Sequence, residues 1–289
     1  NKNWHWGWDI ALISDKWFLE NYKIDSPSVT KLGTIKYEST STAFLQGDGD
    51  RSYFSMSGYS FKTLVSGDNQ TYQPYILPVL DYDRRFSGPS GIEGEFDLTA
   101  NFLHVTREEA DYGTLTGTCN SLAPTSANCY LRGVGGNYAR YTTQLAWRRT
   151  FIDDLGQSWT PFSSARLDFA FSTLSNSSTA NQQQDALISN TDEPLSRTMG
   201  TVGVTYRYPF ISPGEHITQQ FEPIVQLIAR PNETNTGKFP NEDAQSLVFD
   251  DTNLFSVDKF SGYDRIEGGV RANIGGQYTL NLNNGAYAN

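Results

Sequence analysis

Residues 245–280 read QSLVFDDTNLFSVDKFSGYDRIEGGVRANIGGQYTL, and the two halves of this stretch obey different rules. In the second half Val270, Ala272, Ile274, Gly276, Tyr278 and Leu280 alternate with Arg271, Asn273, Gly275, Gln277 and Thr279. A strand points successive side chains to opposite faces, so this half predicts a strand with one apolar and one polar face. The first half is polar and aromatic and has no period, as expected of a long connection.

The same alternation recurs along the chain. Trp4, Trp6, Trp8, Ile10 and Leu12 alternate with His5, Gly7, Asp9 and Ala11, and three tryptophans on one face suit an aromatic girdle at a membrane interface. Phe96, Leu98, Ala100 and Phe102 oppose Glu95, Asp97, Thr99 and Asn101. Tyr141, Leu145, Trp147 and Phe151 oppose Thr142, Gln144, Arg148 and Thr150. Ala165, Leu167, Phe169 and Phe171 oppose Ser164, Arg166, Asp168 and Ser172. Val202, Val204, Tyr206 and Tyr208 oppose Thr201, Gly203, Thr205 and Arg207, and Phe221, Val225 and Leu227 oppose Gln220, Glu222 and Gln226.

Other strands are less sharply written. One is expected over 32–46, ending at a Gly47-Asp48-Gly49-Asp50 turn. Over 51–64 the parity is ambiguous, with Tyr53, Tyr59 and Phe61 on one face and Phe54 and Met56 on the other. The segment 72–85 is demoted by Pro74 and Pro78, because proline cannot donate to a ladder. The total is about ten strands, all in one unit.

Two regularities decide between all-β architectures. The polar faces carry charge, as in Glu95 with Asp97, Arg166 with Asp168, and Glu222, so they are expected to meet water; the opposite faces must meet something apolar. A membrane barrel provides lipid outside and water inside, whereas a sandwich stacks two sheets. The connections also alternate in length. They are long after strands ending near 13, 105, 174 and 229 and short after those ending near 46, 85, 151 and 209, with an intermediate break after 64. That rhythm belongs to an up-and-down meander with short turns on one rim and long loops on the other. The fold class expected is therefore an antiparallel up-and-down transmembrane β-barrel, present as an incomplete wall.

Composition agrees. The 289-residue chain has a net charge of −10, is rich in aromatic and small polar residues, and has no Lys/Arg run of the kind that marks nucleic-acid binding. No stretch of 18 apolar residues offers a transmembrane helix. The chain opens at Asn1 without a signal peptide and ends without a terminal aromatic, so a piece of a longer exported protein is expected. Cys119 and Cys129 lie in one Gly/Ser/Asn-rich connection; a local disulfide is expected in an exported protein, the alternative being unlinked thiols. His5, His104 and His216 have no catalytic or ligating context, no serine sits in a nucleophile setting, and Asp250, Asp251 and Asp258 do not match a calcium loop. Neither an enzyme nor a cofactor is expected.

Several blocks, in order, carry a resemblance. They are the tryptophan strand followed by Ser14-Asp15 and Phe18, the Pro213-Gly214 turn before Gln220-Phe221-Glu222-Pro223, and Phe260-Ser261-Gly262-Tyr263-Asp264-Arg265-Ile266 followed by Arg271-Ala272-Asn273. This pattern resembles the barrel of the lipopolysaccharide-assembly outer-membrane family LptD (Imp/OstA), with Gly262, Asp264, Arg265, Ile266 and Asn273 as the family-motif residues.

The resemblance implies a large barrel that places lipopolysaccharide in the outer leaflet. It further implies an LptE-type lipoprotein plug in the lumen and periplasmic bridge proteins that dock through a jellyroll absent here. Trp4, Trp6, Trp8, Phe96, Leu98, Trp147, Phe169, Phe171, Val204, Phe221, Val225 and Ile274 would then face lipid. Glu95, Asp97, Arg148, Arg166, Asp168, Arg207, Glu222 and Arg271 would face a wet lumen. Asp264 and Arg265 would form an inward or rim charge pair pinning the long segment before the last strand, or else an ordinary solvated loop pair. The alternatives are a general porin or passive channel and a secreted β-sandwich or lectin.

Overall fold

A computed structural model describes residues 3–32, 35–89, 91–121, 123–188, 194–215, 217–233, 237–244, 252–282 and 287–288. The described strands form one 14-stranded antiparallel sheet and a separate two-stranded hairpin. The long strands are β1 (Trp4–Asp9), β2 (Ile35–Gly49), β3 (Ser52–Thr63), β4 (Tyr75–Ser87) and β5 (Glu95–Arg107). They continue with β6 (Gly136–Arg148), β7 (Ser158–Leu174), β8 (Leu195–Arg207), β9 (Ile217–Arg230) and β10 (Gly269–Leu282). Each pairs with the next in chain order, so the sheet is a meander; its two ends do not pair with each other among the described residues. Among the described residues the other sheet is the two-stranded hairpin, too small to be the second layer of a sandwich.

Register shows why alternation in sequence becomes two chemically distinct surfaces. Residues directly opposite each other across a ladder share a face. Trp6 pairs with Leu45, Phe96 with Trp147, Leu98 with Leu145, Phe169 with Tyr141, Val204 with Leu227 and Val225 with Ile274. This apolar face is open: Trp6 is 68% exposed, Phe171 54% and Ile274 75%. In water such a continuous apolar surface would be a large liability; against acyl chains it costs nothing. The ambiguous strand β3 is settled by the same register: Phe54 and Met56 lie with Tyr82 and Leu80 on the apolar face, and Tyr53, Tyr59 and Phe61 lie opposite.

The Pro78 segment differs from its sequence-based expectation. β4 is not demoted; it pairs with β3 on one side and β5 on the other. Both ladders slip by one residue between Ile76 and Val79, so Leu77 and Pro78 sit in a bulge. A bulge leaves its extra residue out of the ladder, which accommodates a residue with no N–H. It also turns Ile76 and Val79, three positions apart, to the same face, where both pack on the core. The first hairpin is displaced as well: β2 runs to Gly49, and the turn is Asp50-Arg51.

Because the sheet is a meander, its long connections share one rim. These are 10–34, 64–74, 108–135, 175–194 and 231–268, while 50–51, 88–94, 149–157 and 208–216 lie on the other rim. Inside the long connections are the hairpin of Asp111–Thr114 with Cys129–Gly133 and short helices at Phe18–Asn21 and Thr179–Gln182. Cys119 and Cys129 are joined by a disulfide within the hairpin connection. The core lies where these connections fold onto the inner face of the sheet. Leu103, Val105, Tyr138, Ala170 and Leu174 from the strands pack with Val134, Ile188 and Phe239 from the connections. Burial of side chains of this size contributes about 1.5–3 kcal/mol each.

The exposed apolar face makes a direct prediction. Leu167, near the middle of β7, points outward and is 43% exposed. Leu167→Lys should destabilise the folded protein in bilayers by about 2–4 kcal/mol. Equilibrium unfolding in vesicles is the measurement, and an unchanged midpoint would place that face outside hydrocarbon.

Candidate functional site

The inner face is divided into two halves. Toward the long-connection rim it is dry and cross-braced; toward the short-turn rim it is open and charged. The dry half contradicts the expectation that Arg166 and Asp168 meet water: their exposures are 5% and 1%. Both lie on the inner face, and Tyr263 and Asp264 of connection 231–268 are held over them.

That connection is held through Asp264, which is fully buried. One carboxylate oxygen of Asp264 accepts the Tyr138 hydroxyl at 2.6 Å and an Arg140 guanidinium N–H. The other accepts the backbone N–H groups of Glu242 at 2.7 Å and Asp243 at 3.1 Å. Asp243 reciprocates: its carboxylate accepts the N–H groups of Tyr263 at 3.1 Å and Asp264 at 3.0 Å. It also pairs with Arg140 at 2.8 Å. Two segments of an otherwise irregular connection are thereby closed on each other and on β6. Arg140 extends the network by donating to Asn101 Oδ1 at 2.7 Å, and Asn101 donates to Asp81 at 2.7 Å.

A second centre lies alongside. Asp168 accepts Thr142 at 2.7 Å, Arg166 at 2.9 Å and Arg197 at 2.7 Å. Arg197 turns its remaining nitrogens to the carbonyl of Asp264 at 3.0 Å and that of Tyr263 at 2.8 Å, and Arg166 also donates to Tyr263. The guanidinium carbons of Arg140 and Arg166 lie 5.3 and 5.4 Å from the Tyr263 ring centroid, and that of Arg197 lies 4.6 Å from Phe239. Guanidinium groups tolerate this arrangement because they are weakly hydrated and planar.

Further attachments surround these centres. Arg107 grips Glu242 with two bonds of 3.0 and 2.8 Å, and Glu242 accepts the Val134 N–H at 2.7 Å. Arg271 donates to Glu267 at 2.6 Å, and Asn273 reaches Gln226, which donates to the carbonyl of Phe255. In the neighbouring connections, the buried amides of Asn181 and Gln184 satisfy the backbone of Ala110, Glu108 and Gly135.

The family-motif residues acquire physical roles. A Cβ on Gly262 would come within 2.4 Å of the Asp243 carboxylate, so the close approach of two chain segments requires glycine there. Ile266 is buried. The proposed pairing of Asp264 with Arg265 is corrected: the charge partner of Asp264 is Arg140, and Arg265 donates to the Phe239 carbonyl at 3.0 Å. No motif marks Arg140, Arg197, Arg107 or Tyr138 in the sequence, although Arg140 and Arg197 share the inward parity of Thr142 and Thr201.

The open half holds the other charged residues. Glu95 accepts from Arg51 at 2.9 Å and Arg148 at 2.8 Å, Arg85 pairs with Asp97 at 3.2 Å, and Arg207 pairs with Glu222 at 2.9 Å. A cavity of about 340 Å³ opens here, lined by Glu95, Asp97, Gln144, Arg148, Thr205 and Gln226 among others. Among the described residues no group of three or more His, Cys, Asp or Glu side chains is placed to hold a metal. Asp258 lies apart from such chemistry, paired with Arg230 at 3.3 Å, while His216, Asp250 and Asp251 lie outside the described residues.

A meander with an open apolar face and a charged face roofed by the connections of one rim is the wall of an outer-membrane β-barrel. The family model described as LPS transport system D matches residues 1–289, and the chain belongs to that family. It is an outer-membrane component of lipopolysaccharide transport and assembly. No curated protein matches the chain.

Burial pushes the Asp264 carboxyl up, to about 6, against the pull of Arg140. For Asp243, which keeps some contact with solvent, burial is outweighed by Arg140 and two backbone N–H groups, and its carboxyl is held below the ordinary value of 3.8. A carboxyl raised on folding binds its proton more tightly in the folded state, so its stabilising effect is present at low pH and lost as pH rises through about 6. The Asp243 contribution is present above 3.8 and lost as pH falls through its lowered value. Docking of 231–268 should therefore be firmest between these limits, measured by hydrogen exchange corrected for intrinsic rates; protection that rises monotonically to pH 8 would contradict this.

Asp264→Ala leaves Arg140 with half its buried counter-charge. The cost expected from breaking a buried pair is about 3–5 kcal/mol. Limited proteolysis should then cut within 231–268 while leaving the strands intact. Gly262→Ala should act in the same direction, and Arg265→Ala should do so much more weakly.

Proposed function

We propose that this segment supplies a stretch of barrel wall, the cover over its outer end, and one side of the wet passage through which the sugar-bearing part of lipopolysaccharide moves. The observation that carries this reading is the division of the inner face. Arg166, Asp168 and Arg271 hold the cover, while Glu95, Asp97, Arg148, Arg207 and Glu222 line the open half. Barrels of this kind have short turns on the periplasmic rim and long loops outside. The open half then faces the periplasm, where substrate arrives, and the cover lies at the cell surface.

The role is conduction and positioning. Paired charges and amides in the open half exchange hydrogen bonds with a hydrated saccharide at little net cost, as water does. The apolar face, from Trp4, Trp6 and Trp8 to Ile274, keeps the wall in hydrocarbon. An LptE-type lipoprotein plug has the open half as its seat, because the dry half is already filled by the protein's own connections. Periplasmic bridge proteins act upstream of this wall.

Photo-crosslinking in cells tests the division. In the full-length protein, a photoreactive residue at position 97, 148 or 207 should capture lipopolysaccharide or the plug, and one at 140 or 168 should capture neither. Equal capture at both sets would defeat the proposal.

A further inference from the structure

Arg84 is the exception on the apolar face. It lies opposite Leu98 of β5 and Ser52 of β3, so its side chain shares the face that carries Phe54, Tyr82, Phe86 and Phe96. It is exposed. The other arginines of this rim have carboxylates: Arg51 and Arg148 share Glu95, Arg85 has Asp97, Arg149 has Glu93 and Arg207 has Glu222. Among the described residues the Arg84 side chain makes no hydrogen bond or ion pair. A guanidinium on a lipid-facing surface without a counter-ion is costly unless the membrane provides one.

Its position says which part of the membrane does so. Arg84 is three residues from the end of β4, about 10 Å along the strand from the short-turn rim. Aromatic residues surround it: the Phe86 and Phe96 rings stack with centroids 5.5 Å apart, and Trp4 packs on Phe54 at 5.8 Å. Aromatics gather on barrels at headgroup level, and an arginine stem can run along apolar surface to place its head there. The facing Ser52 is small and leaves the guanidinium open on that side. A planar guanidinium matches two oxygens of a phosphate.

We propose that Arg84, bordered by Tyr82, Phe86 and Phe96, is a binding site for the phosphate of an anionic phospholipid on the short-turn side of the membrane. The phosphate takes the guanidinium in a paired hydrogen bond, and the acyl chains run along the Leu98 and Leu145 side chains of the adjoining strands. Such a lipid would fix the height of β3–β5 in the membrane, next to the short turns. The inference rests on the apolar face meeting lipid and is independent of what the inner face conducts.

Native mass spectrometry of the delipidated full-length protein, titrated with phosphatidylglycerol or phosphatidylcholine, tests it. The wild type should retain phosphatidylglycerol in preference to phosphatidylcholine. Arg84→Ala should lose that preference several-fold, Arg84→Lys should keep part of it, and Arg85→Ala, whose side chain points inward, should keep it whole. Equal retention by Arg84→Ala and wild type, equal loss in Arg85→Ala, or full displacement of the lipid by inorganic phosphate would overturn the proposal.

Discussion

A carboxylate removed from water must find enough donors to replace what water gave, and Asp264 does so with four. Its two oxygens collect a tyrosine hydroxyl, a guanidinium and two backbone N–H groups. Once those bonds exist, the chain on either side has little freedom. Glu242 and Asp243 are drawn to Asp264, and Asp243 draws Tyr263 and Asp264 back. Arg140, itself completely buried, is compensated by the Asp243 carboxylate and, above about pH 6, by that of Asp264 as well. The connection is thus held as a cover although its described residues form no helix or strand of their own.

The cover explains why the inner face is not uniformly wet. Burying ion pairs is seldom the cheapest way to gain stability, since apolar packing of the same volume often does as well or better. What a buried network gives is a single arrangement, because any shift of the connection leaves a charge unpaired. For a wall that must keep one end closed and the other hydrated, that selectivity is the useful property. Arg166, Asp168 and Arg197 repeat the logic one strand further on, and Arg107 with Glu242 repeats it at the rim.

The strand ladder and the network depend on each other. The one-residue bulge at Leu77-Pro78 brings Ile76 and Val79 onto the face that carries the core, and Asn101 on the next strand joins Arg140 to Asp81. A register slip of one residue would put these groups into lipid and the outward aromatics under the cover. Membrane and network therefore select the same register from opposite sides of the sheet.

Much of the architecture was legible from the chain alone. Period-two alternation in β1 and β5–β10 marked the two faces, and the alternation of long and short connections marked the meander, because both are local consequences of strand geometry. The block from Phe260 to Ile266 stands out in sequence, and in the structure Gly262 and Asp264 of this block meet Glu242 and Asp243. What the linear order withheld was which charges would lose their water. Arg166 and Asp168 look the same in sequence whether they line a pore or lie beneath a cover. Arg140 and Asp264 lie 124 residues apart, with three more long strands, β7, β8 and β9, between them in the chain. Sequence determined which face the side chains of the regularly alternating strands take, since that follows from the geometry of one residue and its neighbours; β3 and the bulge in β4 needed the register. Tertiary structure decided which of the inward charges are buried, since burial depends on where distant segments come to rest.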